Sequence, residues 1–442
     1  MSAPGDVIVV GGGPSGLAAA HRLAQARVPV RVLEASDQVG GKMRTSRRDG
    51  FLVDEGAFFI PSTHRALLTL AAEVGMAHDV VEGGFILGVV RDGIVHDLDG
   101  NHLVRSIAGT RLLSVRAKAE LIRLVPELLR ARRGKYARIP ELGGHDTETV
   151  SGWAASRFSA ELREYLIETT IRGIAATSGD TASRVDFLAI LALLSGAKLL
   201  AFREGMGSYA QRLAKDAKTE VGAEVTSVDA GPGGVTVTWT DGGGAVRVDR
   251  AAACVVATPA QTVAQIVPGL DDFRRSYLSR VRNGQLLVLN VGLSQPLRGV
   301  ESTYILVPRA SHRFLTGIML DHHKAPARAP AGKVLLTVAV LDSWSADHWS
   351  DSDDQIRDAV LAALEEVLPA AVDHIEFADV QRWREEYFTV GCYRDLGHFR
   401  EMCEQDQRVQ LAGDFQSFQN LESATISGQR AAERLLRTGL MR

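Results

Sequence analysis

Cysteine is almost absent from this chain: Cys254, Cys392 and Cys403 are the only three in 442 residues. So few, and with no closely spaced pair, they exclude a disulfide framework and the ligand spacing of a structural zinc site. No metal is expected, and the expected setting is reducing and cytoplasmic. An excess of charge of one sign is lacking too. Fifty Lys and Arg stand against 53 Asp and Glu, a net charge of −3, so there is no broad basic field to hold a nucleic-acid backbone and no nucleic-acid partner is expected. The longest apolar stretch, residues 187–202, is broken by Ser195, Gly196 and Lys198. It falls short of the ~18 residues of a membrane span and is expected to form a buried helix. The residues before Asp6 show no basic region followed by an apolar stretch and a cleavage site, so no export signal is expected. No repeat or low-complexity tract is present.

What is there begins at the amino-terminal end. The apolar residues 7–10 run into Gly11-Gly12-Gly13-Pro14-Ser15-Gly16, then an Ala- and Leu-rich helical stretch, then Val30-Arg31-Val32-Leu33-Glu34. This is the strand, turn, helix, strand opening of a dinucleotide site. Gly11 serves the tight turn, Gly13 the close approach of a pyrophosphate, and Gly16 the packing of helix on strand. Pro14 and Ser15 open a helix whose N-terminus offers amide donors and a favourable dipole to phosphates. Glu34, at the end of the second strand, can accept hydrogen bonds from ribose hydroxyls. Glu34 by itself does not separate FAD from NAD.

Further along, residues 66–202 read as mostly helical, with apolar residues at three and four spacings in 112–129 and 162–174. Strand patterns return at 223–228, 234–240 and 245–248 as a small antiparallel meander with glycine-rich turns. Strands are also expected at 253–257 and 409–414, and an amphipathic helix near 353–368. The length suits two or three domains at roughly 100–200 residues each. Two interleaved domains are expected.

The segment Val39-Gly40-Gly41-Lys42-Met43-Arg44-Thr45, followed by Phe51-Leu52-Val53-Asp54-Glu55-Gly56-Ala57, resembles the extended flavin signature of the flavin amine oxidase and protoporphyrinogen oxidase superfamily. Residues 202–208 with Glu224-Val225, residues 255–259, and Leu411-Ala412-Gly413-Asp414 with residues 422–428 resemble its later motifs, in the same order. The resemblance implies an α/β fold. A Rossmann-like FAD-binding domain (1–65, 203–265 and 395–442) would interleave with a mixed α+β substrate domain (66–202 and 266–394). It implies FAD as cofactor, with Gly41, Lys42 and Arg44 near the dinucleotide, the Val225 backbone at adenine, and Gly413, Asp414 and Ala424 at the ribityl and pyrophosphate. It implies hydride transfer from an organic substrate to flavin, giving C=C or C=N.

Within the superfamily two readings stay open. Residues 146–158 and 171–174 look like the helical substrate region of protoporphyrinogen oxidases and desaturases. Residues 383–393 are similar to the monoamine oxidase segment that carries a covalently flavinylated cysteine and one wall of an aromatic cage. That likeness places Trp383 and Tyr393 at the reacting centre and Cys392 at the flavin, although Cys392 also suits a small buried position. The amine oxidase lysine has no counterpart, because no lysine lies between Lys218 and Lys324 and Val288 is the nearest match. Asn420 stands where the second cage aromatic belongs. A protoporphyrinogen-oxidase-like or desaturase-like dehydrogenation of a bulky, largely apolar small molecule is therefore expected, with oxygen as an electron acceptor. An amine oxidase and a non-catalytic flavin redox sensor are the alternatives. The basic stretch 130–135 suits either a solvated helix end or contact with anionic lipid, and a homodimer is compatible with the family.

Overall fold

The computed structural model describes residues 6–440; the first five and last two residues of the expected cofactor unit lie outside them. Val7–Val10 sits at the centre of a five-stranded parallel sheet, flanked by Val30–Glu34 and Lys218–Val221 on one side and by Ala253–Val256 and Val409–Leu411 on the other. All four residues of the central strand are buried, as expected of a parallel strand covered on both faces. Helix α1 (Pro14–Gln25) leaves that strand through the glycine turn. A Cβ on Gly16 would lie 1.9 Å from the Gly11 carbonyl oxygen, so only glycine lets α1 approach the sheet this closely. The carboxy-terminal helix, Leu421–Thr438, packs on α1 through Gly428.

The meander forms as expected, from Glu224–Gly231, Gly234–Thr240 and Val246–Ala251. A second, seven-stranded sheet has the order Ile375–Phe388, Val281–Leu293, Val334–Val340, Leu315–Leu320, Tyr304–Leu306, Ile86–Arg91 and Ile94–Asp99. Its pairings are antiparallel except that of Tyr304–Leu306 with Ile86–Arg91. The last two strands correct the expectation of a mostly helical stretch after residue 66. They form a hairpin whose tip, Asp92 and Gly93, has both φ values positive, the conformation that matches the twist of paired strands. The apolar run 187–202 divides as well. Helix Arg184–Leu194 ends before Gly196 (φ +67°), and Leu199–Phe202 continues as a strand pairing with Ile60–Pro61 and Val80–Glu82. The helix Asp353–Val367 lies where the amphipathic pattern puts it. No helix among the described residues is long and apolar enough to cross a membrane.

Candidate active site

The parallel sheet, the seven-stranded sheet and the helices between them enclose a cavity of about 590 Å³. Its first end is built by the glycine turn. Gly11 (φ +99°) donates its amide to the Leu33 carbonyl over 2.8 Å, and a Cβ there would come within 2.6 Å of the Ala257 oxygen. Gly13 precedes α1 and faces open space, with no atom within 4 Å of where a Cβ would stand. Pro14 opens the helix where no N–H is needed. Ser15 lines the same wall, whereas Gly16 lies behind it. Glu34 also lines this end, and its carboxylate accepts from Gly12 N at 2.6 Å and Ser36 N at 2.8 Å. Val225 joins it from the meander.

The middle of the cavity is charged. Lys42 Nζ meets Glu385 Oε1 at 2.6 Å, with Glu386 and Asp414 alongside. Burial works to lower the Lys42 pKa, but the Glu385 and Asp414 carboxylates outweigh it and the net is a raised value. Burial raises Glu385, and burial together with a hydrogen bond to Asp414 raises Glu386 well above the carboxylate range. Glu386 and Asp414 thus face each other as a buried pair of carboxyl groups beside the Lys42–Glu385 ion pair. Gly41, Gly413 and Ala424 complete this part of the wall. Arg44 is not on it. Arg44 instead reaches Glu55 at 3.4 Å and Asp37 at 3.7 Å, bracing the turn from outside.

The far end is apolar and aromatic: Phe58, Phe59, Trp383, Tyr304, Ile174 and Leu193. Trp383 is held by its Nε1, which donates to the Glu55 carbonyl at 2.7 Å. Val288 and Asn420 are on this wall as well. Tyr393 and Cys392 are not, which corrects the expectation that they face the flavin. The long strand stops at Phe388, Gly391 (φ +103°) turns the chain, and a helix, Cys392–Gln405, starts at once. The buried Asp146 carboxylate accepts the amides of Gly391 (2.8 Å) and Tyr393 (2.7 Å), pinning that helix start in the helical core. The Tyr393 ring stacks on Phe388 and its hydroxyl donates to Asp186 at 2.5 Å, while the Cys392 sulfur rests 3.3 Å from Thr389 Oγ1.

Gly173 and Ile174 reach the wall from the segment expected to hold substrate, whereas His64, Ala175, Ala176 and Leu193 were not expected on it, and Glu385 and Glu386 had no role of their own within residues 383–393. The adjacent acids Glu385 and Glu386 inside a strand were a signal, because paired carboxylates on a half-buried strand need a partner. The others carry no local mark.

An open approach at Gly13, amide donors at the start of α1, a fixed carboxylate at Glu34 and an unpaired buried hydroxyl on Thr258 fit a dinucleotide in this cavity. Comparison with known proteins agrees. Residues 14–436 match the family model of flavin containing amine oxidoreductases. The chain is 24% identical over 443 residues to coproporphyrinogen III oxidase of Bacillus subtilis, covering 89% of this chain and 90% of that protein. It is 24% identical over 424 residues to polyamine oxidase 4 of Oryza sativa, covering 89% and 78%. The alignment with protoporphyrinogen oxidase 2 of Arabidopsis thaliana, 29% identical, spans only 40% of this chain and 34% of that protein. The fold is shared with cyclohexylamine oxidase from Brevibacterium oxydans at a TM-score of 0.79 and 20% identity, covering 98% and 99% of the two chains. With its dinucleotide turn, its closing glycine and acid, and a match that spans nearly the whole chain, this protein belongs to the flavin containing amine oxidoreductase family, whose members are FAD-dependent oxidoreductases.

Proposed function

We propose that the protein dehydrogenates a bulky, largely apolar small molecule, in the manner of protoporphyrinogen oxidases and desaturases and not of amine oxidases. The cofactor unit is 1–65, 203–265 and 395–442, and the remaining segments hold the substrate. Gly11, Gly13 and the start of α1 with Ser15 would hold the pyrophosphate, Glu34 the ribose, the Val225 backbone the adenine, and Gly413, Asp414 and Ala424 the ribityl. FAD supplies the two-electron acceptor for a hydride taken from the substrate. The chain's own task is to place a C–H bond and keep water away. Phe58, Phe59, Ile174, Leu193 and Trp383 give an apolar surface for that. A proton must leave with the hydride, and the buried carboxyl groups of Glu385 and Glu386, both with pKa values raised by burial, are the acidic side chains on the wall placed to receive it. Oxygen is the electron acceptor in this reading, leaving as hydrogen peroxide.

The observation that carries the reading is the composition of the apolar end. Val288 and Asn420 stand there in place of a lysine and a second aromatic, and Cys392 is turned away. The test is anaerobic mixing of the flavin-loaded protein with porphyrinogens, polyenes and amines, watching the oxidised flavin band bleach. Bleaching by a porphyrinogen or polyene is expected. Bleaching by amines alone overturns the reading in favour of an amine oxidase, and bleaching by none favours a flavin-binding sensor.

The helical stretch 103–133 also suits contact with an anionic membrane surface. Val104, Val115 and Ile122 are 86%, 85% and 72% exposed, beside Arg105, Arg116 and Arg123. Co-sedimentation with phosphatidylserine vesicles but not with phosphatidylcholine vesicles is the expected result.

A further inference from the structure

One polar side chain at the apolar end of the cavity has nothing to bind. His64 is 3% exposed and lines the cavity, yet neither of its ring nitrogens has a hydrogen-bond partner. A buried imidazole in that state has given up its bonds to water and gained none, and here both unpaired nitrogens belong to a side chain on the cavity wall, where a bound molecule can supply the partner. Burial pushes its pKa down to about 3, so the ring is neutral and offers one donor and one acceptor.

The backbone around it is held firmly. His64 precedes the helix Arg65–Glu73, and its own amide donates to the Pro61 carbonyl at 2.9 Å. Thr63 Oγ1 donates to the Leu193 carbonyl at 2.8 Å, tying the segment to the helical region. On the other side the Glu422 carboxylate accepts from Ala66 N at 2.9 Å and Leu67 N at 3.0 Å. That bond locks the first turn of this helix to the first turn of the carboxy-terminal helix, whose capping residue Asn420 shares the cavity wall. His64 is therefore presented on a frame tied from two directions, while its own ring ties nothing.

We propose that His64 is a specificity-determining residue that makes one hydrogen bond to an uncharged polar group of the substrate, such as a carbonyl, amide or hydroxyl. This rests on the dehydrogenase reading above and narrows its substrate to apolar molecules bearing a neutral hydrogen-bonding group. An ammonium in this corner would lose its water and meet apolar neighbours and carboxyl groups that already have partners. Pro61, Leu193 and Leu421 are apolar, Glu422 is committed to backbone amides, Glu385 is paired with Lys42, and Glu386 is hydrogen-bonded to Asp414.

The test is equilibrium titration of the oxidised, flavin-loaded protein with benzamide, ethylbenzene and benzylamine, read as perturbation of the flavin absorption band, together with nitrogen NMR of the His64 ring. Benzamide is expected to bind about tenfold more tightly than benzylamine and to shift the ring nitrogens. His64→Phe is expected to lose about tenfold in benzamide affinity with ethylbenzene affinity unchanged, and His64→Gln to recover part of the loss. The proposal is overturned if His64→Phe weakens benzamide and ethylbenzene equally. It is also overturned if the variant's flavin band is altered before any probe is added, since the imidazole would then serve the cofactor or the fold. None of these readings needs turnover. A flavin-loaded protein that oxidises nothing but keeps the His64-dependent selectivity sinks the dehydrogenase reading and supports this one.

Discussion

Two halves of one short segment have different fates. Trp383 to Glu386, on the strand Ile375–Phe388, run along the cavity wall, whereas Cys392 and Tyr393, a few residues later, sit in a closed helical core. Both halves match the same family motif, and local sequence does not distinguish them. They are separated by a carboxylate far away in the chain: Asp146 draws in the amides of Gly391 and Tyr393 and fixes where the strand gives way to helix. A sequence motif transfers backbone preferences faithfully. The facing of a side chain is transferred only if the packing partners are transferred too.

Removing the carboxylate is expected to have the largest effect. Asp146→Ala takes away the acceptor of two buried amides and of the Ser183 hydroxyl, and is expected to cost roughly 3 kcal/mol in denaturant unfolding while FAD content per folded protein stays unchanged. A parallel loss of FAD would show that the two halves are one unit.

A matched pair of substitutions tests the two aromatic rings separately. Trp383→Phe removes the bond to the Glu55 carbonyl and Tyr393→Phe the bond to Asp186, each expected to cost about 1 kcal/mol of stability. Only Trp383→Phe is expected to change KM or kcat. A turnover defect in Tyr393→Phe of the same size would place that ring at the reacting centre after all.

The core half also has its own pH signature. Burial raises Asp186 from 3.8 to about 7, against the hydrogen bond from Tyr393. The folded state thus holds a proton the unfolded chain has released, so this group's contribution is fully present below pH 3.8 and is lost as pH rises to about 7. Asp186→Asn is expected to flatten the fall in stability over that window. A slope identical to the unaltered protein's would mean Asp186 does not titrate there.

The smallest effect is expected at Cys392. Cys392→Ala should leave FAD content unchanged, and acid precipitation of the unaltered protein should leave the yellow colour in the supernatant. Colour that stays with the pellet, and is lost from it in Cys392→Ala, would mean the thiol does reach the flavin.

Legibility followed the range of the forces involved. The glycine turn, Glu34, the meander and the closing strand could be read because each is a local demand: a positive φ, a close backbone approach, an alternation of period two. The hairpin 86–99 was hidden because its second strand carries His96, Asp97 and Asp99 among its apolar residues, and its first is too short for periodicity to separate strand from helix. The run 187–202 reads as one helix because apolar content alone does not say that Gly196 reverses the chain. His64 was invisible for a different reason. An imidazole next to a helix start is unremarkable until the surrounding walls deny it a partner.

By itself the sequence determined the dinucleotide turn, the acid that follows it, the order of the flavin motifs and hence the family, because these depend on what single residues permit the backbone to do nearby. The tertiary structure alone decided that Trp383 borders the cavity and Tyr393 does not, that Lys42 meets Glu385, and that His64 is left unpaired. Those outcomes depend on which distant elements pack together, and burial changes the energy of a charge or a polar group only after the packing has excluded water.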